Sequence, residues 1–451
     1  MSTTPTRQLA EYAVSTRIES LPEAVKERAR HVIFDEMACA YFCQRSTAGP
    51  LAARYAMSFG GAPEASILGT NYKCSAPYAA LANGTAGHGE EVDGAHVLGG
   101  HPGASIVHAA VAMAERQHVT GAELLNAVVL GYDIGVRVMK AMGGIFVVKQ
   151  KYHLHADFVY AFGATAAATR LMGLDATRHC HALALASFQT NGLIAMYAEQ
   201  RHISKSFCNG QYAFAGVSSA LMSAAGLEGN EDMFGAPHGI LDAWGTGDSR
   251  AALTGQLGHD FSIMSANFKF LNAGYPIHAA VEAASKAIAA SGCKLEEIES
   301  VRVGMPENAL RVVDNRPMHN ICVQDMVTAA LLRGGLTIDD IPFPDALAHP
   351  LFAQLRPRIS AHVDEALNRE QPDGRGSHVT VTTKAGHSYS HRVDHPRGHS
   401  LRGGVSWDDL YEKWQKSLLG CDVSKAISVA KRLDDLSDAR ELVKAFSGVM
   451  R

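Results

Sequence analysis

Apolar positions recur every third or fourth residue through most of the first 290 positions, the spacing of helices that each bury one face. Val25, Ala29, Val32, Ile33, Met37 and Ala40 form one such stripe. Ahead of it, Ser20-Leu21-Pro22-Glu23 has the capping-box form, with proline early in the first turn. The runs SIVHAAVAMAERQ, GAELLNAVVLGYDIGVRVMKAMG, AFGATAAATRLMGL, ATRHCHALALASFQ and QYAFAGVSSALMSAAGL repeat the style, and their alanine and glycine predict closely approaching helices. Near Lys294 the spacing changes to alternation. Ile298, Val301 and Val303 read as a strand, and His378 to His391 as a hairpin turning at Gly386. A helix is expected between them at Val323–Leu332, and helical spacing returns at Ser406–Trp414 and Lys425–Leu433. The pattern predicts a mainly α protein with an α+β second domain. Residues 1–267 and 401–451 would form a large helical domain, and 268–400 a smaller inserted α+β domain.

Composition narrows the function without naming it. A chain of 451 residues suits two domains, and an apolar content of 47% fills a large core. The net charge of −4 and the lack of a dense Lys/Arg run argue against nucleic-acid or membrane partners. The start, MSTTPTRQLAEYAV, has no apolar core of signal-peptide length, so a cytoplasmic protein is expected. Eight cysteines at 39, 43, 74, 180, 208, 293, 322 and 421 lack CxxC spacing and read mostly as small, reduced core residues.

One segment stands out chemically. Asn83 to Gly103, NGTAGHGEEVDGAHVLGGHPG, gathers His88, Glu90, Glu91, Asp93, His96 and His101 among glycines that let backbone approach a ligand closely. The plain alternative is a loop whose polar groups meet water. His153 with His155, and His179 with His181, form HxH pairs. On a helix such a pair does not share a face, and no further ligand stands at convincing spacing, so no metal is expected. Lys205, beside Ser204 and Ser206 at a helix start, suits a carboxylate, or is an ordinary surface lysine. Lys269, between Phe268 and Phe270, is an anion anchor or a snorkelling side chain. His278 caps its helix or faces a site, and Arg397 reads as structural.

The order of segments carries more than any one of them. Asn83-Gly84, His88, an acidic cluster and His101-Pro102 resemble the signature of the MmgE/PrpD family. KYHLHADFVYAFGATAAA, ISKSFCNGQYAFAGVSSALMSAAGLEG, FKFLNAGYPIHAAVEAA and HPRGH follow in that family's order. The family includes 2-methylcitrate dehydratase, cis-aconitate decarboxylase and iminodisuccinate epimerase. The resemblance implies a helical domain with an α+β lid, a homodimer, and catalysis without metal or organic cofactor. Position by position it puts the family's acidic residue at Glu91, its HP histidine at His101, and its lysines at Lys205 and Lys269, with His278 following the second. The remaining histidine falls at His155, with His153 the alternative register. The chain departs from an HxLDFDDT-like pattern at His88–Ala95, where Glu91 replaces aspartate, and Asp325 stands where decarboxylase-type members carry tyrosine.

The implied chemistry is loss or gain of a proton at a carbon beside a carboxylate, which needs a base near neutral pKa and fixed cations. His101 and His155 would be the acid/base groups, and Lys205 the carboxylate anchor, with Glu91 setting a histidine's protonation. Lys269, His278, Asp93 and His153 would complete substrate binding. The leading expectation is a 2-methylcitrate dehydratase-like hydro-lyase acting on a small di- or tricarboxylate. An iminodisuccinate-type epimerase, a cis-aconitate decarboxylase-like enzyme and an inactive carboxylate-binding member are the alternatives.

Overall fold

The computed structural model describes residues 3–199, 201, 203–340, 343–371 and 374–449. The chain forms two compact units, Met1–Ala266 with Ser406–Arg451, and Asn267–Val405. The first is helical and the second is α+β. No helix among the described residues is long and apolar enough to cross a membrane. All eight cysteines are free thiols, five of them buried.

The helical unit runs through α1 (Pro5–Ser15), α2 (Glu23–Phe42), α3 (Ala48–Met57), α4 (Ala76–Gly87), α5 (Pro102–Gln117), α6 (Gly121–Ala141), α7 (Ile145–Tyr152), α8 (Tyr160–Leu171), α9 (Ala176–Ser187) and α10 (Ser204–Ala224). The expected capping box at Ser20 does not form. Ser20 ends a 3-10 turn, the residue before Pro22 stays extended, and Pro22 itself is the N-cap with no side-chain cap. Glu23 turns instead to Lys26 and Arg30, at 3.3 and 2.8 Å.

Small residues decide which helices touch. A Cβ on Gly131 of α6 would lie 2.9 Å from the Gly163 carbonyl oxygen of α8, and a Cβ on Gly84 of α4 would lie 2.9 Å from Gly210 Cα of α10. The second crossing sets the end of α4 beside the start of α10.

The α+β unit holds a four-stranded sheet. Its strands are β1 (Ile298–Met305), β2 (Ile359–Val363), β3 (Ser377–Thr383) and β4 (Ser388–Val393), in spatial order β2-β1-β3-β4. β3 and β4 form the expected hairpin, with Gly386 at φ +83°. β2 pairs parallel to β1, Val301 opposite Ile359, and was not visible in the alternation. Helices α11 (Ile277–Ser291) and α12 (Val323–Arg333) share the unit's core with Val301, Val303, Val379 and Val381. After this unit, α13 (Trp407–Trp414) and α14 (Val423–Lys431) rejoin the helical one. There the Lys413 amine meets Asp35 at 2.8 Å and donates to the Val92 carbonyl at 3.1 Å, so the C-terminal tail buttresses the His88–His101 loop.

Candidate active site

The loop between α4 and α5 begins and ends on histidine. His88 is the C-cap of α4 and His101 the N-cap of α5, directly before Pro102. Both rings turn their Nδ1 to one oxygen of buried Asp93, each at 2.9 Å, with ring centroids 4.2 Å apart. His101 Nδ1 also lies 3.0 Å from the Gly94 carbonyl oxygen. A carboxylate and a carbonyl only accept, so the neutral His101 ring carries its proton on Nδ1 and leaves Nε2 with the basic lone pair. Of the two side chains, His101 is 12% exposed and His88 is sealed, so His101 is the ring open to a ligand.

Asp157 ties this loop to the next segment. The His101 backbone N–H donates to its Oδ2 at 3.2 Å, and His155 Nε2 lies 3.9 Å from the same oxygen. Gly100, at φ +82°, permits the approach, because a Cβ there would collide with Asp157 Oδ1. The Tyr160 hydroxyl donates to Gly99 O at 2.6 Å and pins the loop's far end. His155 is buried, with Nδ1 3.4 Å from the Tyr212 hydroxyl.

At the start of α10 the Lys205 amine donates to Glu91 Oε1 at 2.6 Å, and the Ser206 hydroxyl donates to His88 O at 2.6 Å. Two loop residues are thus fixed by consecutive residues of one helix. Burial pushes His88 down to about 4 against the pull of Asp93, and His155 down to about 3 against that of Asp157. Both are neutral imidazoles at pH 7. Burial alone would raise Asp157, but the electrostatic influence of its neighbours, His155 first and the Lys149 ammonium among them, outweighs it and holds the acid below its ordinary range.

The structure therefore brings together His101, His155, Lys205, Glu91 and Asp93, all in the helical unit. His153 is not with them: it caps α7 in a left-handed conformation, φ +57°, with its side chain exposed. Lys269 and His278 belong to the α+β unit. There Lys269 is fully buried, and His278 Nε2 lies 3.2 Å from the Ala273 carbonyl oxygen. Asp325 is engaged by Arg356 at 2.9 Å and His319 at 2.7 Å. The Arg397 guanidinium stacks on Phe270, and His96 is a loop pin whose Nε2 meets Ser262 O at 2.9 Å. His179 and His181 turn to separate partners, Thr169 and Gly229.

Sequence reasoning passed over His88 and Asp157 as site residues. The signal for Asp157 was an acid two residues beyond His155; His88 stood in the signature but looked like a mere landmark. His88, Asp93 and His101 also present ligand atoms within 4.8 Å of one another, a trio able to hold a metal ion. As they stand, the same atoms form a hydrogen-bonded proton network.

The MmgE/PrpD N-terminal domain model matches residues 7–252, and the MmgE/PrpD C-terminal domain model matches 272–434. The chain belongs to the MmgE/PrpD family. Among family members, cis-aconitate decarboxylase of Homo sapiens is 23% identical, covering 96% of this chain and 92% of its own. Cis-aconitate decarboxylase of Aspergillus terreus is 24% identical over 97% and 95%. The mitochondrial 2-methylcitrate dehydratase of Yarrowia lipolytica is 31% identical over 28% of this chain and 26% of its own.

Proposed function

We propose that this chain is a cofactor-independent MmgE/PrpD-type lyase that removes a proton beside a carboxylate of a small di- or tricarboxylate. The observation that carries this reading is His101, its Nδ1 held by Asp93 and Gly94 so that Nε2 is the base. Nε2 takes the proton, and the C–H electrons move toward the adjacent carboxylate. The Lys205 cation stabilises the charge that builds there. In a hydroxy acid the electrons then form a C=C bond as the β-hydroxyl leaves. His155 supplies its proton, since a bound polyanion favours the protonated ring, and water departs.

Dehydration of a 2-methylcitrate-like hydroxy acid is the leading reaction. Decarboxylation of a cis-aconitate-like acid is the second reading, favoured by relatives of that name that cover nearly the whole chain. Asp325, in place of the decarboxylase tyrosine and committed to Arg356 and His319, weighs against it. Proton NMR of the purified protein with 2-methylcitrate, citrate, cis-aconitate and iminodisuccinate separates the outcomes. A new alkene with released water supports dehydration, and released CO2 supports decarboxylation. Solvent deuterium entering iminodisuccinate without net conversion indicates epimerisation. Binding without turnover across the panel would mean a non-catalytic member.

Dialysis against a chelator is expected to leave activity unchanged. Loss of activity restored by a divalent cation would instead make His88, Asp93 and His101 a metal centre. We also propose a homodimer, for which the aromatic cluster Tyr55, Phe59, Tyr78 and Phe214, with Tyr55 and Phe59 about half exposed, offers a contact face. Phe59→Glu should halve the mass seen in sedimentation equilibrium; a monomeric wild type would refute this.

A further inference from the structure

We propose that Lys149 is a substrate-anchoring cation that binds a carboxylate beyond the one met by Lys205, and so sets the preference for polycarboxylates. This rests on the lyase reading above. The Lys149 amine, on the short helix α7, is half-buried and lies 4.8 Å from the centroid of the Tyr197 ring. Among the described residues no hydrogen bond or ion pair engages the ammonium. It nonetheless stands within the electrostatic reach of Asp157, Glu91 and His155, the groups of the candidate site. The Tyr197 ring in turn stands edge-on to that of His155, centroids 6.0 Å apart, so ring and amine border the same cluster.

Lys205 shares its charge with Glu91, the two paired at 2.6 Å, and so serves one substrate carboxylate at most. Asp157 faces the His101 N–H, and Asp93 faces two imidazoles. A half-buried ammonium with no acceptor is costly to hold, and the aromatic face of Tyr197 offsets only part of that cost. The arrangement is that of a cation positioned in advance for an anion that arrives with the ligand. An incoming di- or tricarboxylate needs one cation per desolvated carboxylate, and Lys149 supplies the one that Lys205 does not.

The test compares full-length wild type with Lys149→Met, Lys149→Arg and His101→Ala. Propane-1,2,3-tricarboxylate and succinate are the calorimetric probes, and the preferred substrate of the panel above is used for kinetics. Lys149→Met keeps the aliphatic stem and breaks no ion pair, so its melting temperature should stay near wild type. The expected result is tricarboxylate binding weakened tenfold or more, KM raised similarly with kcat within about threefold, and succinate binding much less affected. Lys149→Arg should restore most of the tricarboxylate affinity, which a packing role would not explain, and His101→Ala should still bind. If Lys149→Met binds the tricarboxylate as wild type does, the inference is overturned while the lyase reading stands. If wild type binds neither probe and converts no polycarboxylate, the lyase reading fails and this inference with it.

Discussion

Asp93 is the residue on which the proposed chemistry turns, because one carboxylate oxygen faces two imidazoles. Asp93→Asn keeps the shape and removes the charge. Both rings meet the same atom, so an amide nitrogen there obliges both to give up the Nδ1–H tautomer, while an amide oxygen there keeps the tautomers but removes the charge that stabilises a protonated His101. In the first case His101 Nε2 carries the proton and ceases to be a base; in the second it is a weaker one. The expected outcome is a fall in kcat of roughly 10²–10⁴-fold with KM little changed. Steady-state kinetics, with circular dichroism to verify the fold, measures it; wild-type kcat in a folded variant would remove Asp93 and the His101 base from the mechanism. At this scale the sequence was partly legible. Glu91, His101 and Lys205 could be placed because the resemblance to the MmgE/PrpD signature assigns a position to each. Asp157 could not, because its role comes from a loop more than fifty positions away folding onto it, made possible by the missing side chain at Gly100. His153 and His155 looked equivalent by spacing. What separates them is a left-handed turn that sends one ring outward and buries the other.

The element that aligns these side chains is the α4–α10 crossing. Gly210 lies against the Leu81 carbonyl and the Thr85 hydroxyl, and an added Cβ would fall well inside van der Waals contact with both. A backbone oxygen cannot rotate away, so Gly210→Ala must push the helices apart. Overpacking of this kind costs about 1–3 kcal/mol, which lowers the melting temperature by several degrees in a unit of this size. The shift also draws Ser206 from His88 O and Lys205 from Glu91, so activity should fall further than stability alone explains. Calorimetry and kinetics on the same sample test the pairing; a stable, fully active Gly210→Ala would show that the crossing does not position the site. Helices were the legible part of the fold, since alanine- and glycine-rich stripes declare both their period and their close approach. β2 was hidden because only Ile359 of its five residues is buried, leaving no alternation to read. The start of α2 was misjudged for a similarly local reason, proline fixing the entry where a serine cap was expected.

Across the helical unit, four fully enclosed rings share one thermodynamic consequence. Burial depresses His88 and His179 to about 4, and His108 and His155 to about 3. In the unfolded chain each titrates near 6.5. Between those values the unfolded chain binds protons that the folded protein refuses, so stability is complete above about pH 6.5 and is lost as pH falls toward the folded values. Each tenfold preference for the neutral ring is worth about 1.4 kcal/mol, so four rings together give a slope on the order of 4–6 kcal/mol per pH unit once all are engaged. Against a total stability of about 5–15 kcal/mol, that slope predicts unfolding of the helical unit near pH 5, with little change between pH 8 and 7. The melting temperature measured from pH 8 to pH 4.5 checks it. His179→Leu, which removes one titrating ring away from the candidate site at the cost of a bond to Thr169, should flatten the acid limb by about one proton while lowering the neutral-pH plateau slightly. A melting temperature that holds from pH 7 to pH 5, or an acid limb unchanged in that variant, would mean the rings are hydrated or charged in the folded protein. His88 and His155 would then not be the neutral imidazoles that their burial implies for the ligand-free protein.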